Sequence, residues 1–198
     1  MPRLAARLSD EAPGIRMIIR PADYRSLGGR LDSGDADLAL SATPTKLDPR
    51  HRHKSLYKEP FVALYDRSQL NSAGDLDIAT YVETPHLFRS LSGDLRGQVD
   101  AALAAIGKER SVAMALSSFS AAPFLLRTQA SLINIPAVAA YFFAKEFDLE
   151  LSRLPIDVDS FPVSIIWHAR SGEDPFHQWF RKLVSETCFE LAVEAGVR

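Results

Sequence analysis

Apolar positions along this chain alternate between short continuous runs and stripes at helical spacing. Leu4 and Leu8 share one helical face in "PRLAARLSDEAPG", a segment that Pro13-Gly14 stops. "IRMII" (15–19) follows as a short run of strand type. Leu27 and Leu31 then recur at helical spacing, with Gly34 placed to end the helix. "ADLAL" (36–40) is apolar on both faces, as a buried parallel strand must be. Together these segments predict a strand–helix–strand unit, a crossover that is almost always right-handed.

The alternation continues with "FVALY" (61–65) as a strand. Residues 66–84 are polar and read as a loop with a turn of helix. "HLFRSL" (86–91) restarts the pattern as a strand, followed by a helix with Val99, Leu103 and Ile106 on one face and Gly107 at its end. "SVAMAL" (111–116) is a strand, "SFSAAPFLLR" a short helix and "ASLINI" a strand. Pro136 stands at the first position of the next helix, and "LELSRL" and "VSIIWHAR" (163–170) are further strands. The last helix has Asp174 as N-cap, Pro175 just inside, and a stripe of Phe176, Trp179, Phe180, Leu183, Val184 and Thr187. The strand–helix pattern runs twice, before and after about residue 70, which predicts two α/β lobes with the last helix returning to the first.

Composition narrows the functional classes. At 198 residues, 46% of them hydrophobic and 24% charged, the chain has the make-up of an ordinary globular protein. Its net charge is -2, and its 23 basic residues gather into no long run, which argues against this chain alone neutralising a phosphate backbone. The single cysteine, Cys188, excludes an internal disulfide and any multi-cysteine metal site, and fits a reducing compartment. No apolar stretch approaches the roughly 18 residues of a membrane span, and "MPRLAARLSDEAPG" lacks a signal-peptide core. A cytoplasmic location without membrane contact is the expectation.

The densest chemistry lies in "SIIWHARSGEDPFHQWFRKLV" (164–184), with two histidines, two tryptophans and two arginines. His168 and His177 are separated by a strand end, a turn and a cap, and no ligand set is completed around them. The stretch therefore reads as architecture, with His177 bonded to a nearby loop. "HRHK" (51–54) carries an H-x-H that a strand would aim at a metal, but its charged surroundings read as a solvated connector. "GRLDSGDAD" lacks the spacing and terminal glutamate of a calcium loop. "SSFSAAP" (117–123) has no glycine elbow for a nucleophilic serine, so it reads instead as a helix start whose N–H groups and hydroxyls cradle an anion, with Ser118 as cap. The helix after Pro136 is too apolar to lie in a DNA groove. No base, nucleophile and orienting partner come together, so no enzyme is expected, and neither a metal nor another cofactor.

Open α/β sheets hold ligands beyond the carboxyl ends of their strands. Those positions are Asp23 and Tyr24, Ser41 and Thr43, Ser90 and Ser92, and Ser117, Ser118 and Phe119. Tyr24, Ser41, Thr43, Ser90, Ser92, Ser118 and Phe119 are the candidate ligand-binding residues. Hydroxyls and aromatic edges with little fixed charge suit a small organic acid or a phenolic compound.

Leu4, Leu8, Pro13, Leu31, Gly34, Asp37, Leu38 and Leu40 carry a pattern that resembles the effector-binding domain of LysR-type transcriptional regulators. "WHARSGEDPFHQWFR" is similar to the W-H-x-R…D-P-x-H-x-W-L-R signature of a subgroup with nodulation and aromatic-catabolism regulators, Phe180 replacing the usual leucine. The resemblance implies an α/β fold of the type 2 periplasmic-binding-protein kind, two Rossmann-like lobes with a small-molecule cleft between them. Residues 1–60 with 168–198 would form the first lobe and 61–167 the second. It implies a non-catalytic effector sensor; a solute-binding protein serving a transporter is the alternative on the same fold. Family members begin with a helix-turn-helix domain that this sequence does not show, and the first strand of the first lobe is also expected to be missing. A fragment, a misplaced start and a degenerate regulator all fit, and DNA would be met only through that N-terminal domain. Resembling proteins pair antiparallel, which gives a homodimer or higher homo-oligomer with Ala5, Leu8, Ala101 and Ala105 at the contact.

Overall fold

The computed structural model describes residues 2–21, 24–44 and 46–197, the side chains of residues 24 and 25 excepted. Its elements begin with α1 (Pro2–Glu11), α2 (Tyr24–Ser33), β1 (Ala39–Ala42), β2 (His51–Glu59), β3 (Phe61–Tyr65), α3 (Arg67–Leu70) and α4 (Ile78–Glu83). They continue with β4 (His86–Arg89), α5 (Gln98–Ala105), β5 (Val112–Leu116), α6 (Ala122–Leu126), β6 (Leu132–Pro136), α7 (Ala137–Phe147), β7 (Glu150–Arg153), β8 (Phe161–His168) and α8 (Pro175–Glu194). The chain divides into two compact units, Met1–Lys58 with Phe161–Gly196, and Glu59–Ser160. The return to the first unit thus comes at Phe161, not at 168 as the sequence suggests. The reason is pairing: β8 lies between β1 and β2 and belongs to their sheet.

The first unit has a sheet of order β1-β8-β2. The apolar run "ADLAL" forms no buried parallel strand. β1 pairs antiparallel with β8, Ala39 opposite Ile166, and Leu40 is 49% exposed. Residues 15–20 form no strand either, and Ile18 and Ile19 stand exposed. An apolar run becomes a strand only where a neighbouring backbone takes up its N–H and C=O groups, and none does so here among the described residues. "HRHK" departs in the other direction. It opens β2, a nine-residue strand, although residues 52–55 are all exposed.

Two clusters hold this unit together. Leu4 and Leu8 of α1 pack with Ile165, Leu183 and Val184, while Arg7 reaches Glu186 and Thr187 on α8. Leu8 is 6% exposed, so it belongs to this core and is not available to a second copy. Leu27 and Leu31 of α2 pack on Ile166. Full burial of one such leucine contributes about 1.5–3 kcal/mol. Gly34, at φ +83, ends α2 in the left-handed conformation that glycine adopts without steric cost. Asp174 caps α8 by accepting the His177 N–H at 2.6 Å.

The second unit has the order β5-β4-β6-β3-β7. β4 runs parallel to β5 and β6, and β3 is antiparallel to β6 and β7. Alternation along β3 and β6 feeds two cores on opposite faces. Leu64, Ile133 and Ile135 pack with Leu126 and Ala140, whereas Ala63, Tyr65 and Leu132 pack with Tyr81, Val99 and Leu103. Ile106, expected on the buried face of α5, lies just past its end and is exposed. The polar stretch 66–84 holds two short helices, α3 and α4, capped by Asp66 and Asp77. Pro136 immediately precedes α7, and buried Glu59 accepts the Val138 N–H at 2.8 Å.

Candidate functional site

Parallel pairing sets the carboxyl ends of β4 and β5 side by side, Arg89 opposite Leu116. The Ser90 N–H donates to Leu116 C=O at 2.9 Å and carries the ladder one residue further. Beyond it the Ser90 hydroxyl accepts the Gly93 N–H at 2.9 Å, and Gly93 turns the chain at φ +87. On the β5 side Ser118 opens a single turn, Phe119–Ala121, that leads into α6. Its hydroxyl accepts the Ser120 N–H at 3.2 Å and lies 2.9 Å from the Ser120 hydroxyl. Phe119 rests part of its ring on the core of Leu64 and Leu126.

Of the residues expected in the second unit, the structure brings Ser90, Ser118 and Phe119 to adjacent strand ends. Ser92 differs, since its exposed hydroxyl donates to Asp94 at 2.7 Å within the same turn. The anion cradle expected at a helix start also changes character. The turn and α6 are too short for a substantial helix dipole, and the Ser120 N–H is already taken by Ser118. What sequence reasoning missed is Arg89. It ends β4, half-buried, with its guanidinium 6.0 Å from the Phe119 ring centroid. It forms no ion pair among the described residues, so it offers a positive charge over an aromatic face. A cation closing an apolar strand was the available signal.

In the first unit Ser41 lies within β1, opposite Ser164. The Thr43 hydroxyl lies 2.5 Å from the Ser164 hydroxyl and 3.2 Å from Pro162 C=O, partners that tie it to the sheet. Tyr24 begins α2, but its side chain, like all of Asp23, lies outside the described residues. A cavity of about 320 Å³ opens beside α2, with Leu27, Leu47 and Ile166 among its walls and Lys46, Asp48 and Arg50 around it. None of the expected contact residues whose side chains are described lines it.

Charged and aromatic residues of the "WHARSGEDPFHQWFR" signature take architectural roles. Asp32 lies 2.8 Å from His51 Nε2, 3.0 Å from Arg50 and 3.7 Å from His168 Nε2. Arg170 donates to the carbonyls of Leu31 (2.6 Å) and Asp32 (2.7 Å), closing the end of α2. His177 Nε2 lies 2.9 Å from Asp37 C=O, and Arg181 lies 4.4 Å above the Trp167 ring while donating to the Ser171 and Gly172 carbonyls. Burial pulls the Arg181 guanidinium below its ordinary pKa, and it pushes the Cys188 thiol up to about 11, where it is a poor nucleophile. Among the described residues no three His, Cys, Asp or Glu side chains gather to hold a metal. No helix of these residues is long and apolar enough to cross a membrane.

Against known proteins, the family model for the LysR substrate binding domain matches residues 1–189. The HTH-type transcriptional activator NagR of a Ralstonia species is 24% identical over 186 residues, covering 94% of this chain and 62% of NagR. Nodulation protein D 2 of Rhizobium leguminosarum bv. phaseoli is 26% identical over 185 residues, covering 93% and 58%. The chain thus spans about three-fifths of the length of these relatives. Among solved structures, the regulatory domain of MexT, a transcriptional activator in Pseudomonas aeruginosa, superposes with a TM-score of 0.80 at 28% identity, covering 94% of this chain and 90% of that one. The α/β fold of periplasmic-binding-protein type expected from the sequence is thereby borne out.

Proposed function

Since the chain belongs to the LysR substrate-binding-domain family, we propose that it senses a small organic or aromatic acid for a cytoplasmic transcription regulator. The family and the relatives are transcription regulators, not enzymes or transport proteins. The observation that carries the ligand class is Arg89, a cation without a carboxylate partner among the described residues, placed over the Phe119 ring. A carboxylate meets the guanidinium and the hydroxyls of Ser90 and Ser118, while its ring packs on the Phe119 edge. Tyr24, Ser41, Thr43 and Ser92 remain candidate contacts of lower rank: the Thr43 and Ser92 O–H groups already donate to Pro162 and Asp94, whereas the Ser90 and Ser118 hydroxyls accept backbone N–H groups. Contact with DNA is assigned in this reading to a part of the regulator outside this chain.

Calorimetry after a thermal-shift screen of aromatic acids tests the proposal. Losing a charge-assisted hydrogen bond costs about 1.5–3 kcal/mol, so Arg89→Ala and Ser118→Ala each weaken binding by roughly tenfold or more. Ser118→Trp blocks binding and leaves the fold intact. Unchanged affinity in all three variants would place the ligand elsewhere.

The same reading includes self-association of two copies. Exposed Ala5 on α1 and exposed Ala101 and Ala105 on α5 supply small, apolar contacts for an isologous interface. Light scattering at tens of micromolar is expected to give a dimer mass that Ala105→Glu lowers to the monomer. A monomer mass for the unaltered chain overturns it.

A further inference from the structure

We propose that the second unit holds an internal water molecule among Tyr81, His86, Arg110 and Asn134. These side chains come from four places in the fold: α4, the first residue of β4, the approach to β5, and the middle of β6. Tyr81 and His86 are fully buried, and the Arg110 side chain is 1% exposed. Their rings and charges are close neighbours. Tyr81 and His86 meet edge to face at 4.9 Å between centroids, and Tyr81 Oη lies near both the Asn134 amide and the Arg110 guanidinium.

Yet Tyr81 Oη, His86 Nε2, Arg110 Nη1 and both amide atoms of Asn134 are buried without completing a hydrogen bond of good geometry among the described residues, although Tyr81 Oη interacts with Asn134 and Arg110. An atom left unmatched in such a place loses its hydration with nothing in return, so five in one neighbourhood mark a place where a further molecule binds. Internal waters take up unmatched groups of this kind, with about three hydrogen bonds each.

The chemistry of the set selects water over an anion. His86 Nδ1 lies 2.9 Å from Thr84 C=O, a pure acceptor, so Nδ1 carries the hydrogen and Nε2 presents a lone pair. Burial, aided by the Arg110 charge, lowers the His86 pKa to about 3 and keeps the ring neutral. Arg110 is already paired with Asp100 through Nε and Nη2 at 2.8 Å each, which leaves Nη1 as a donor. The set therefore combines donors on Arg110, Tyr81 and Asn134 with acceptors on His86 Nε2 and Asn134 Oδ1. A water donates to the acceptors while accepting from Arg110 and Tyr81, which matches four of the five atoms, and the Asn134 amide faces Tyr81 Oη directly. A halide only accepts, and would face the lone pairs of His86 and Asn134.

This site lies at the amino ends of β4 and β5, and Arg89, Ser90 and Ser118 follow their carboxyl ends, so it is separate from the proposed effector contacts. A high-resolution crystal structure of the unaltered protein, grown with bromide and recorded with anomalous data, tests it. A peak without anomalous signal, within hydrogen-bond distance of His86 Nε2 and at least two of the other groups, is the expected result. A bromide peak there overturns the proposal, as does a dry site in which the four side chains bond directly to one another. In solution, a long-lived water showing contacts to the Tyr81 ring in the unaltered protein should become weaker in Tyr81→Phe. Equal signals in both proteins would also overturn the assignment.

Discussion

The two units use the same α/β vocabulary but complete it differently. In the second, a five-stranded sheet is covered on both faces, and the alternation along β3 and β6 supplies one leucine- and isoleucine-rich core and one core with tyrosines. In the first, the described sheet has three strands, β1 lies at its edge, and Ile18 and Ile19 remain open to solvent. Its stability rests more on helices, α1 against α8 and α2 against Ile166, and on side chains that close helix ends. The contrast teaches that similar hydrophobic runs acquire different energetic weight according to how many neighbours the topology supplies.

Paired core truncations give the strongest test of that contrast. Leu31→Ala in the first unit and Ile133→Ala in the second each remove a fully buried side chain and should cost about 2–5 kcal/mol. Hydrogen exchange should show Leu31→Ala opening amides of α2 and β8, and Ile133→Ala those of β3, β4 and β6. The same protection loss from both variants would erase the distinction between the units.

Acid should come next in magnitude and act through the second unit. Folded His86 resists protonation down to about pH 3, whereas an unfolded histidine takes up its proton near 6.5. Between those values the unfolded chain binds more protons, so stability falls as pH falls, by about 2 kcal/mol from pH 7 to pH 5. Asp100, held below the ordinary carboxylate range by Arg110, adds its own loss only at lower pH, as it becomes protonated in the unfolded chain. Denaturant titrations should show a slope over pH 5–7 that His86→Gln flattens; an unchanged slope would assign it to other groups.

The smallest effect concerns a cap in the first unit. Asp174→Ala removes the acceptor of the His177 N–H and should cost about 1 kcal/mol. Affinity for an identified effector should stay unchanged, measured by calorimetry on the same samples. A tenfold loss of affinity would mean that the signature around Asp174 takes part in sensing.

Much of the fold was legible because local signals agreed with tertiary demand. Asp174 and Pro175 mark the start of α8, Gly34 marks the end of α2, and the run "FVALY" is buried as β3. Failures arose where pairing outweighs pattern. "IRMII" has strand composition without a partner strand among the described residues, while "HRHK" has loop composition but a sheet position beside β8. Of the candidate site, Ser90, Ser118 and Phe119 follow from strand-end logic. Arg89 did not, because a charge ending an apolar run looks the same whether it meets a carboxylate or stays unpaired. The engagement of Thr43 by Ser164, residues far apart in the chain, has no local trace.

The split of the first unit between the beginning and end of the chain has a consequence for its birth on the ribosome. β1 must wait for β8, and α1 for α8, before either gains its long-range partner. All the strands of the second unit emerge in one uninterrupted stretch before β8. Domains generally fold as units during synthesis, and contacts distant in sequence form late. Residues 59–160 can therefore settle while residues 2–58 still lack the partners that β8 and α8 supply. During that interval the nascent chain exposes Leu4, Leu8 and Leu27 to chaperones and proteases; β8 then brings Ile166 to Leu27, and α8 brings Leu183 and Val184 to Leu4 and Leu8.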